Sequence, residues 1–203
     1  MGLEKNKKEL FIYTIGHSNH PMDVFINLLQ AHDIELLVDI RSHPHSKYAA
    51  HFDKRHLLHA VKSAGIKYLF AGKELGGMPN QEEFYDKDGY VLYSRIAASQ
   101  PFKDGIERLI EEIPNRKVAV LCSEENPSEC HRRHLVGRVL HEKGIGVLHI
   151  LKDGSIITED ELRAEEAKNA SNQLSLFGDK EEKEWKSTQS VLKKERPLNF
   201  SES

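Results

Sequence analysis

The stretch KVAVLC at residues 117–122 is a short apolar run that is followed at once by the polar segment SEEN. A strand that is apolar at nearly every position is typical of a parallel sheet with both faces covered, whereas a strand with one wet face alternates. We therefore predict a central, fully buried strand here, and the rest of the chain is interpreted outward from it.

The same pattern recurs on both sides of this strand, with helical spacing of apolar residues in between. Further strands are predicted at residues 10–15, 34–40, 66–70 and 147–151, and helices at a segment opened by Pro21 and at residues 53–64, 90–98, 102–113 and 130–143. Alternating strands and helices predict an α/β fold. We expect a Rossmann-like three-layer domain over residues 10–152, with a mostly parallel sheet of about five strands.

Length and composition limit the alternatives. The chain has 203 residues, 38% hydrophobic and 30% charged, which suits one domain with an appendage. No apolar run approaches the roughly 18 residues of a membrane helix, and no apolar segment follows the lysines near residue 1. Two cysteines exclude a disulfide framework. We expect a cytoplasmic protein that is neither secreted nor inserted in a membrane.

Residues 153–203 have a different composition and are predicted to be a charged tail. The Thr-x-x-Glu pattern at residues 158–161 is a capping box, so a charged helix is expected over 158–170. Residues 178–203 are mostly Lys, Glu, Ser and Asn, a composition that favours disorder.

The loops that follow the strands carry the reactive side chains. Ligands of open parallel sheets bind beyond the carboxyl ends of the strands, so these loops are considered together. The densest group is LCSEENPSECHRRH at residues 121–134. Glu124 is a candidate nucleophile or general base, on the condition that burial raises its pKa, and Arg132 at a helix start is a candidate for holding a carboxylate or phosphate.

The sequence does not predict a zinc site in this segment. Cys122, Cys130 and His131 offer three ligands, but their spacing matches no paired Cys-x-x-Cys motif, and neighbouring residues on a helix point in different directions. Cys122 fits better as a buried core thiol. The chain also lacks a P-loop, a Gly-x-Gly-x-x-Gly loop and a His-Glu-x-x-His motif, which counts against ATPase, dehydrogenase and zincin functions. No cofactor is specified.

Positive charge gathers locally although the net charge is -3. Residues 41–62 carry five basic side chains and five histidines against one acid, Asp53. This segment suits an anionic ligand, and a solvated helix face is the alternative.

Four separated motifs, TIGHS at 14–18, VDIRSHPHS at 38–46, ELGG at 74–77 and LCSEENPSECHRRHLV at 121–136, resemble the domain-of-unknown-function 488 family over about residues 11–151. The resemblance implies that the matching positions line one site. From these we take candidate catalytic residues, namely Glu124, Asp39 and His131. The candidate ligand-binding residues are Ser18, Arg41, Cys130 and Arg132.

The segment QLSLF at residues 173–177 resembles the peptide by which bacterial proteins dock on the DNA polymerase sliding clamp. Gln173 is the expected polar anchor, and Leu174, Leu176 and Phe177 fill an apolar pocket of the partner. The alternative is that these apolar residues fold back onto the domain.

Together these features predict a cytoplasmic bacterial protein that the sliding clamp recruits to DNA, where it acts on or recognises nucleic acid or nucleotides in repair or replication. A hydrolase or lyase would use Glu124 or Asp39 as base or nucleophile and hold phosphate with Arg41 and Arg132. The alternatives are a non-enzymatic adaptor for DNA or protein and an enzyme of small metabolites.

Overall fold

The computed structural model describes residues 9–45, 49–174 and 184–191. Within them, one mixed sheet has the order β3-β2-β4-β1-β5-β6. Its strands are β1 (Phe11–Gly16), β2 (Leu36–Asp39), β3 (Lys67–Phe70), β4 (Val118–Cys122), β5 (Gly146–Ile150) and β6 (Ile156–Thr158). All neighbouring strands are parallel except β6, which runs antiparallel to β5.

Helices connect these strands. They are α1 (Met22–Ala31), α2 (Lys54–Ser63), α3 (Gly72–Leu75), α4 (Tyr93–Ala98), α5 (Gln100–Glu112), α6 (Arg138–Glu142) and α7 (Glu159–Leu174). A π-helical turn, Arg132–Gly137, runs directly into α6, and short 3₁₀ turns lie at Ala50–Phe52, Glu82–Phe84 and Pro127–Glu129. In the segments that the structure describes, no helix combines the length and the apolar character needed to cross a bilayer.

Strand β4 is buried on both faces of the sheet, as its sequence predicts. Val118 and Val120 belong to the core cluster that contains Phe102 of α5, and Ala119 belongs to the opposite cluster with Phe25 of α1. Successive side chains of a strand point to opposite faces, so each face needs its own layer of helices. The predicted α/β fold with a mostly parallel, doubly covered sheet is confirmed.

The position of β4 brings three strand ends together. Although it is the fourth strand in the chain, it lies between β1 and β2, with Gly16 opposite Cys122 and Asp39 opposite Leu121. The loops that follow β1, β2 and β4 therefore leave the sheet side by side. We call this region the carboxyl edge.

The folded unit extends past residue 152, where the sequence predicted that the tail begins. Strand β6 adds to the sheet next to β5, and α7 begins with the predicted capping box, in which Thr158 Oγ1 accepts from the Glu161 amide at 3.1 Å and Glu161 Oε2 accepts from the Thr158 amide at 2.8 Å. A three-residue strand is too short to give a periodic signal, which is why β6 was not predicted.

Residues 184–191 correct part of the predicted disorder of the tail. We call them the returning segment. The indole of Trp185 donates to the His134 carbonyl at 2.7 Å, and the Ser187 amide donates to the Val91 carbonyl at 2.8 Å. The returning segment thus packs on the domain beside the carboxyl edge.

Glu159 fixes the start of α7 to the sheet. It is 4% exposed, and its carboxylate accepts from His149 Nε2 at 3.1 Å, Arg133 Nε at 2.8 Å and Arg163 Nε at 2.8 Å. Burial alone would raise the pKa of Glu159, but these donors lower it to about 2. The carboxylate therefore stabilises the folded chain when it is ionised.

We predict that Glu159→Gln lowers the free energy of unfolding by about 2 kcal/mol at pH 7, because charged hydrogen bonds are lost. A folded-state pKa of about 2 lies below the ordinary 4.5. The contribution is therefore complete above the unfolded pKa and is lost as the pH falls toward the folded one. Urea unfolding should show a smaller difference from wild type at pH 3 than at pH 7. The control is Glu165→Gln, an exposed position of the same helix, and an equal loss in both variants would contradict the prediction.

Candidate functional site

A cavity of about 200 Å³ lies at the carboxyl edge, beyond β2 and β4. Arg41 and Ser42 line it after β2, residues 122–124 after β4, and Cys130 and His131 from the next loop. Residues 187–191 of the returning segment also line it. The cavity therefore lies where ligands of open parallel sheets bind.

Two thiols and a carboxylate meet on the floor of this cavity. The Cys122 thiol donates to Glu124 Oε2 at 3.0 Å, and the Cys130 thiol donates to the same oxygen at 3.5 Å. Both cysteines are buried, at 4% and 2% exposure, whereas Glu124 as a whole residue is exposed. One oxygen of the Glu124 carboxylate thus accepts hydrogen bonds from both buried thiols. The residue also lines the cavity, where it can contact a ligand.

The imidazole of His131 completes this group. Its Nε2 lies 3.2 Å from the Ile40 carbonyl oxygen, which can only accept, so Nε2 carries a proton. Its Nδ1 faces Cys122 Sγ at 3.4 Å and Cys130 Sγ at 3.9 Å. We call Cys122, Glu124, Cys130 and His131 the thiol cluster.

The pKa values of the thiol cluster are shifted in opposite directions. Burial raises the pKa of the Cys130 thiol well above its ordinary value. Burial would also raise the pKa of Glu124, but the Cys122 thiol and the other donors around its carboxylate lower it below 4.5. Glu124 is therefore a carboxylate at neutral pH, which differs from the raised pKa that the sequence analysis required.

His131 departs from its ordinary pKa as well. Burial would lower the pKa, but its contacts with Cys130, the charge of Glu124 and the Ile40 carbonyl raise it above 6.5. These contacts therefore favour the protonated imidazole more than burial alone would allow.

The structure places Arg132 below the thiol cluster and outside the cavity. Its side chain is completely buried, and its guanidinium donates to the Glu124 and Glu125 carbonyl oxygens, at 2.6 Å for Glu125. A Cβ on Gly16 would overlap the Glu124 carbonyl. Arg132 therefore holds the loop after β4 and does not occupy the position expected of a phosphate ligand.

Asp39 and Arg41 form a buried ion pair at the end of β2. Asp39 is 0% exposed, and its two oxygens accept from Arg41 Nε at 2.9 Å, Arg41 Nη2 at 2.7 Å and the Tyr68 hydroxyl at 2.8 Å. The carboxylate of Asp39 does not line the cavity, whereas Arg41 does. This geometry indicates that Asp39 positions Arg41. Glu124 therefore remains as the candidate base.

His17 supports the ion pair from the end of β1. Its Nδ1 donates to the Ser18 carbonyl at 2.8 Å, so its Nε2 accepts from Arg41 Nη1 at 3.0 Å. Burial and the charge of Arg41 lower its pKa to about 4. Ser18 itself is half-buried with a φ of 43°, and its amide donates to the Ser123 carbonyl at 2.9 Å. Ser18 therefore joins the loops at the carboxyl edge but does not line the cavity.

The sequence analysis placed Cys130 and His131 on one helix, where neighbouring side chains point in different directions. The structure does not have this arrangement. Cys130 is not on a helix, because its φ of -120° and ψ of 142° are extended and the helical turn begins after it. Its side chain and that of His131 are therefore free to face the same point.

The model of the family described as Domain of unknown function DUF488 matches residues 21–139, which is more than half of the chain. The protein belongs to the DUF488 family. No curated protein and no solved structure matched the chain.

The matched range of DUF488 contains the thiol cluster together with Asp39 and Arg41. Ser18 and the returning segment lie outside that range. The proposed clamp-binding residues lie outside it too. Gln173 and Leu174 are the last two residues of α7, and Leu176 and Phe177 lie outside the described residues.

Gly77 of the ELGG motif is a site residue to which the sequence analysis gave no role. A Cβ on Gly77 would overlap the imidazole of His131, so the backbone of this loop packs directly against the ring. A glycine pair after a strand was the available signal, because glycine often marks a close approach of the backbone.

We predict that Gly77→Ala displaces His131 and breaks its contact with the Ile40 carbonyl. The cost should be about 1–3 kcal/mol of unfolding free energy, as for other overpacked positions. Urea unfolding and the NMR shifts of the His131 ring measure both effects. Met78→Ala is the control, since Met78 is the exposed neighbour, and unchanged ring shifts in Gly77→Ala would contradict the assignment.

Proposed function

We propose that this DUF488 protein is a cytoplasmic bacterial enzyme, a hydrolase or lyase that acts on a nucleotide or on DNA in repair or replication and is recruited by the sliding clamp. The observation that carries the enzyme part of the proposal is the thiol cluster. A carboxylate, two thiols and an imidazole share a cavity floor at the carboxyl edge of a Rossmann-like sheet, where general-base or nucleophilic chemistry needs them.

Glu124 is the proposed general base. Its lowered pKa keeps it ionised at neutral pH, and the residue lines the cavity. His131 is proposed to orient the two thiols, because its Nδ1 lies 3.4 Å from Cys122 Sγ and 3.9 Å from Cys130 Sγ.

The proposed substrate carries a phosphate group. Arg41 is the arginine that lines the cavity, and its buried guanidinium is held by Asp39, His17 and the Phe52 carbonyl. A phosphate would bind beside this positive charge. A cavity of about 200 Å³ lies below the usual range for drug-sized ligands, so it would take the phosphate-bearing end of a substrate and not a duplex. The DNA link rests on the QLSLF peptide at residues 173–177.

A small-metabolite enzyme is the second candidate, because the returning segment closes one side of the cavity. Its residues 187–191 line the same cavity as the thiol cluster. Such a wall restricts the substrate size, and the peptide at 173–177 would then only localise the enzyme.

We predict that Glu124→Gln lowers turnover by at least about 100-fold while binding is retained, because the base is lost and the shape is kept. The assay compares wild type and variant on nicked, damaged and single-stranded DNA and on nucleoside mono-, di- and triphosphates. Glu125→Gln is the matched control in the same loop, since its carboxylate pairs with His20 at 3.1 Å. DNA binding without any conversion by wild type, abolished by Glu124→Gln, would favour the adaptor and refute the enzyme.

If residues 173–177 dock on the sliding clamp, the double change Leu176→Ala with Phe177→Ala should abolish capture of the protein by the immobilised clamp. The two apolar anchors should carry most of the affinity, and the unfolding free energy should stay within about 0.5 kcal/mol of wild type. The control is Glu181→Ala with Glu182→Ala, a double change just beyond the peptide. Undiminished capture by the Leu176 and Phe177 variant would refute the docking role.

A further inference from the structure

Three atoms that zinc prefers as ligands meet at the cavity floor. Cys122 Sγ, Cys130 Sγ and a ring nitrogen of His131 all lie within 4.8 Å of one another. Within residues 9–45, 49–174 and 184–191, no other group of three His, Cys, Asp or Glu side chains gathers ligand atoms in this way. Two thiolates with one imidazole form a known type of catalytic zinc site.

The separations match the edges of a zinc tetrahedron. With Zn–S near 2.3 Å and Zn–N near 2.0 Å, a tetrahedral ion sets S···N at about 3.6 Å and S···S at about 3.8 Å. The observed distances from His131 Nδ1 are 3.4 Å to Cys122 Sγ and 3.9 Å to Cys130 Sγ. An ion would therefore fit with side-chain shifts of a few tenths of an ångström along these two edges.

The groups around these ligands also suit a metal. His131 donates Nε2–H to the Ile40 carbonyl, which aims the lone pair of Nδ1 at the thiols, and metal-binding histidines usually make such a bond. The Arg132 amide donates to Cys130 Sγ at 3.4 Å, a contact that favours a thiolate. Gly77 adds a steric limit on the imidazole.

Glu124 lies beside these three ligands without being one of them. Its Oε2 is 3.0 Å from Cys122 Sγ and 3.5 Å from Cys130 Sγ, but it is not among the atoms that lie within 4.8 Å of one another. All four residues line the cavity, so a fourth zinc ligand can come from the cavity. We propose that Cys122, Cys130 and His131 bind a Zn²⁺ ion whose fourth position, beside Glu124, is open to the cavity.

This site deepens the proposed function. Zinc with three protein ligands acts as a Lewis acid and activates a bound water at neutral pH, which is the nucleophile that a hydrolase needs. The carboxylate of Glu124 is placed to hold that water by a hydrogen bond. The binding test below requires no substrate, so the metal site and the hydrolase can fail separately.

The experiment measures metal on the full-length protein, purified without a histidine tag or chelator. Elemental analysis should give about one zinc per chain. After removal of zinc, Co²⁺ should restore one equivalent with the visible absorption of a tetrahedral ion and the near-ultraviolet charge-transfer band of thiolate ligands. Zinc should also protect both cysteines from alkylation, and a chelator should remove that protection.

The variants Cys122→Ser and Cys130→Ser should each weaken Co²⁺ binding more than about 100-fold. His59→Gln, which alters an exposed histidine, should bind as wild type does. If either serine variant fails to fold, the wild-type charge-transfer band and the alkylation pattern still decide. Wild type that takes up no stoichiometric metal overturns the proposal, and so does a Cys122–Cys130 disulfide in freshly purified protein.

Discussion

The buried guanidinium of Arg132 is the constraint on which the site depends. It lies completely inside the protein and donates to the carbonyls of Glu124 and Glu125. The two Nη groups of a buried guanidinium need acceptors, and the loop after β4 turns back over the strand end to supply them. That turn sets Glu124 against Cys122 and Cys130. Gly16 must lack a side chain for the same reason, since a Cβ there would overlap the Glu124 carbonyl.

The neighbouring Arg133 links the same turn to α7. The π-helical turn at Arg132–Gly137 buries two consecutive arginines, and Arg133 Nε donates to Glu159 at 2.8 Å while its Nη2 donates to Glu166 at 2.9 Å. π-helical turns recur at functional sites, and here one segment serves both the carboxyl edge and α7. Two adjacent arginines therefore hold the loop after β4 and the helix α7.

The sequence predicted the central strands and the sheet edge at which the candidate site lies, because apolar runs and strand-end motifs are local signals. It did not predict that Cys130 is extended, which lets two adjacent side chains face one point. It assigned Arg132 to phosphate because nothing local distinguishes a ligand-binding arginine from one that binds carbonyls of its own loop. Trp185 was the available sign that the tail returns to the domain, yet its partner, the His134 carbonyl, is set by the tertiary fold.

The central claim is that Arg132 assembles the thiol cluster by holding the loop after β4. A crystal structure of Arg132→Met tests it most directly, because methionine keeps much of the bulk and removes every donor. The account predicts an unchanged sheet, a displaced loop over residues 123–129, and Glu124 withdrawn from both sulfurs. A folded variant in which Glu124 Oε2 still lies within hydrogen-bond distance of Cys122 and Cys130 would contradict it.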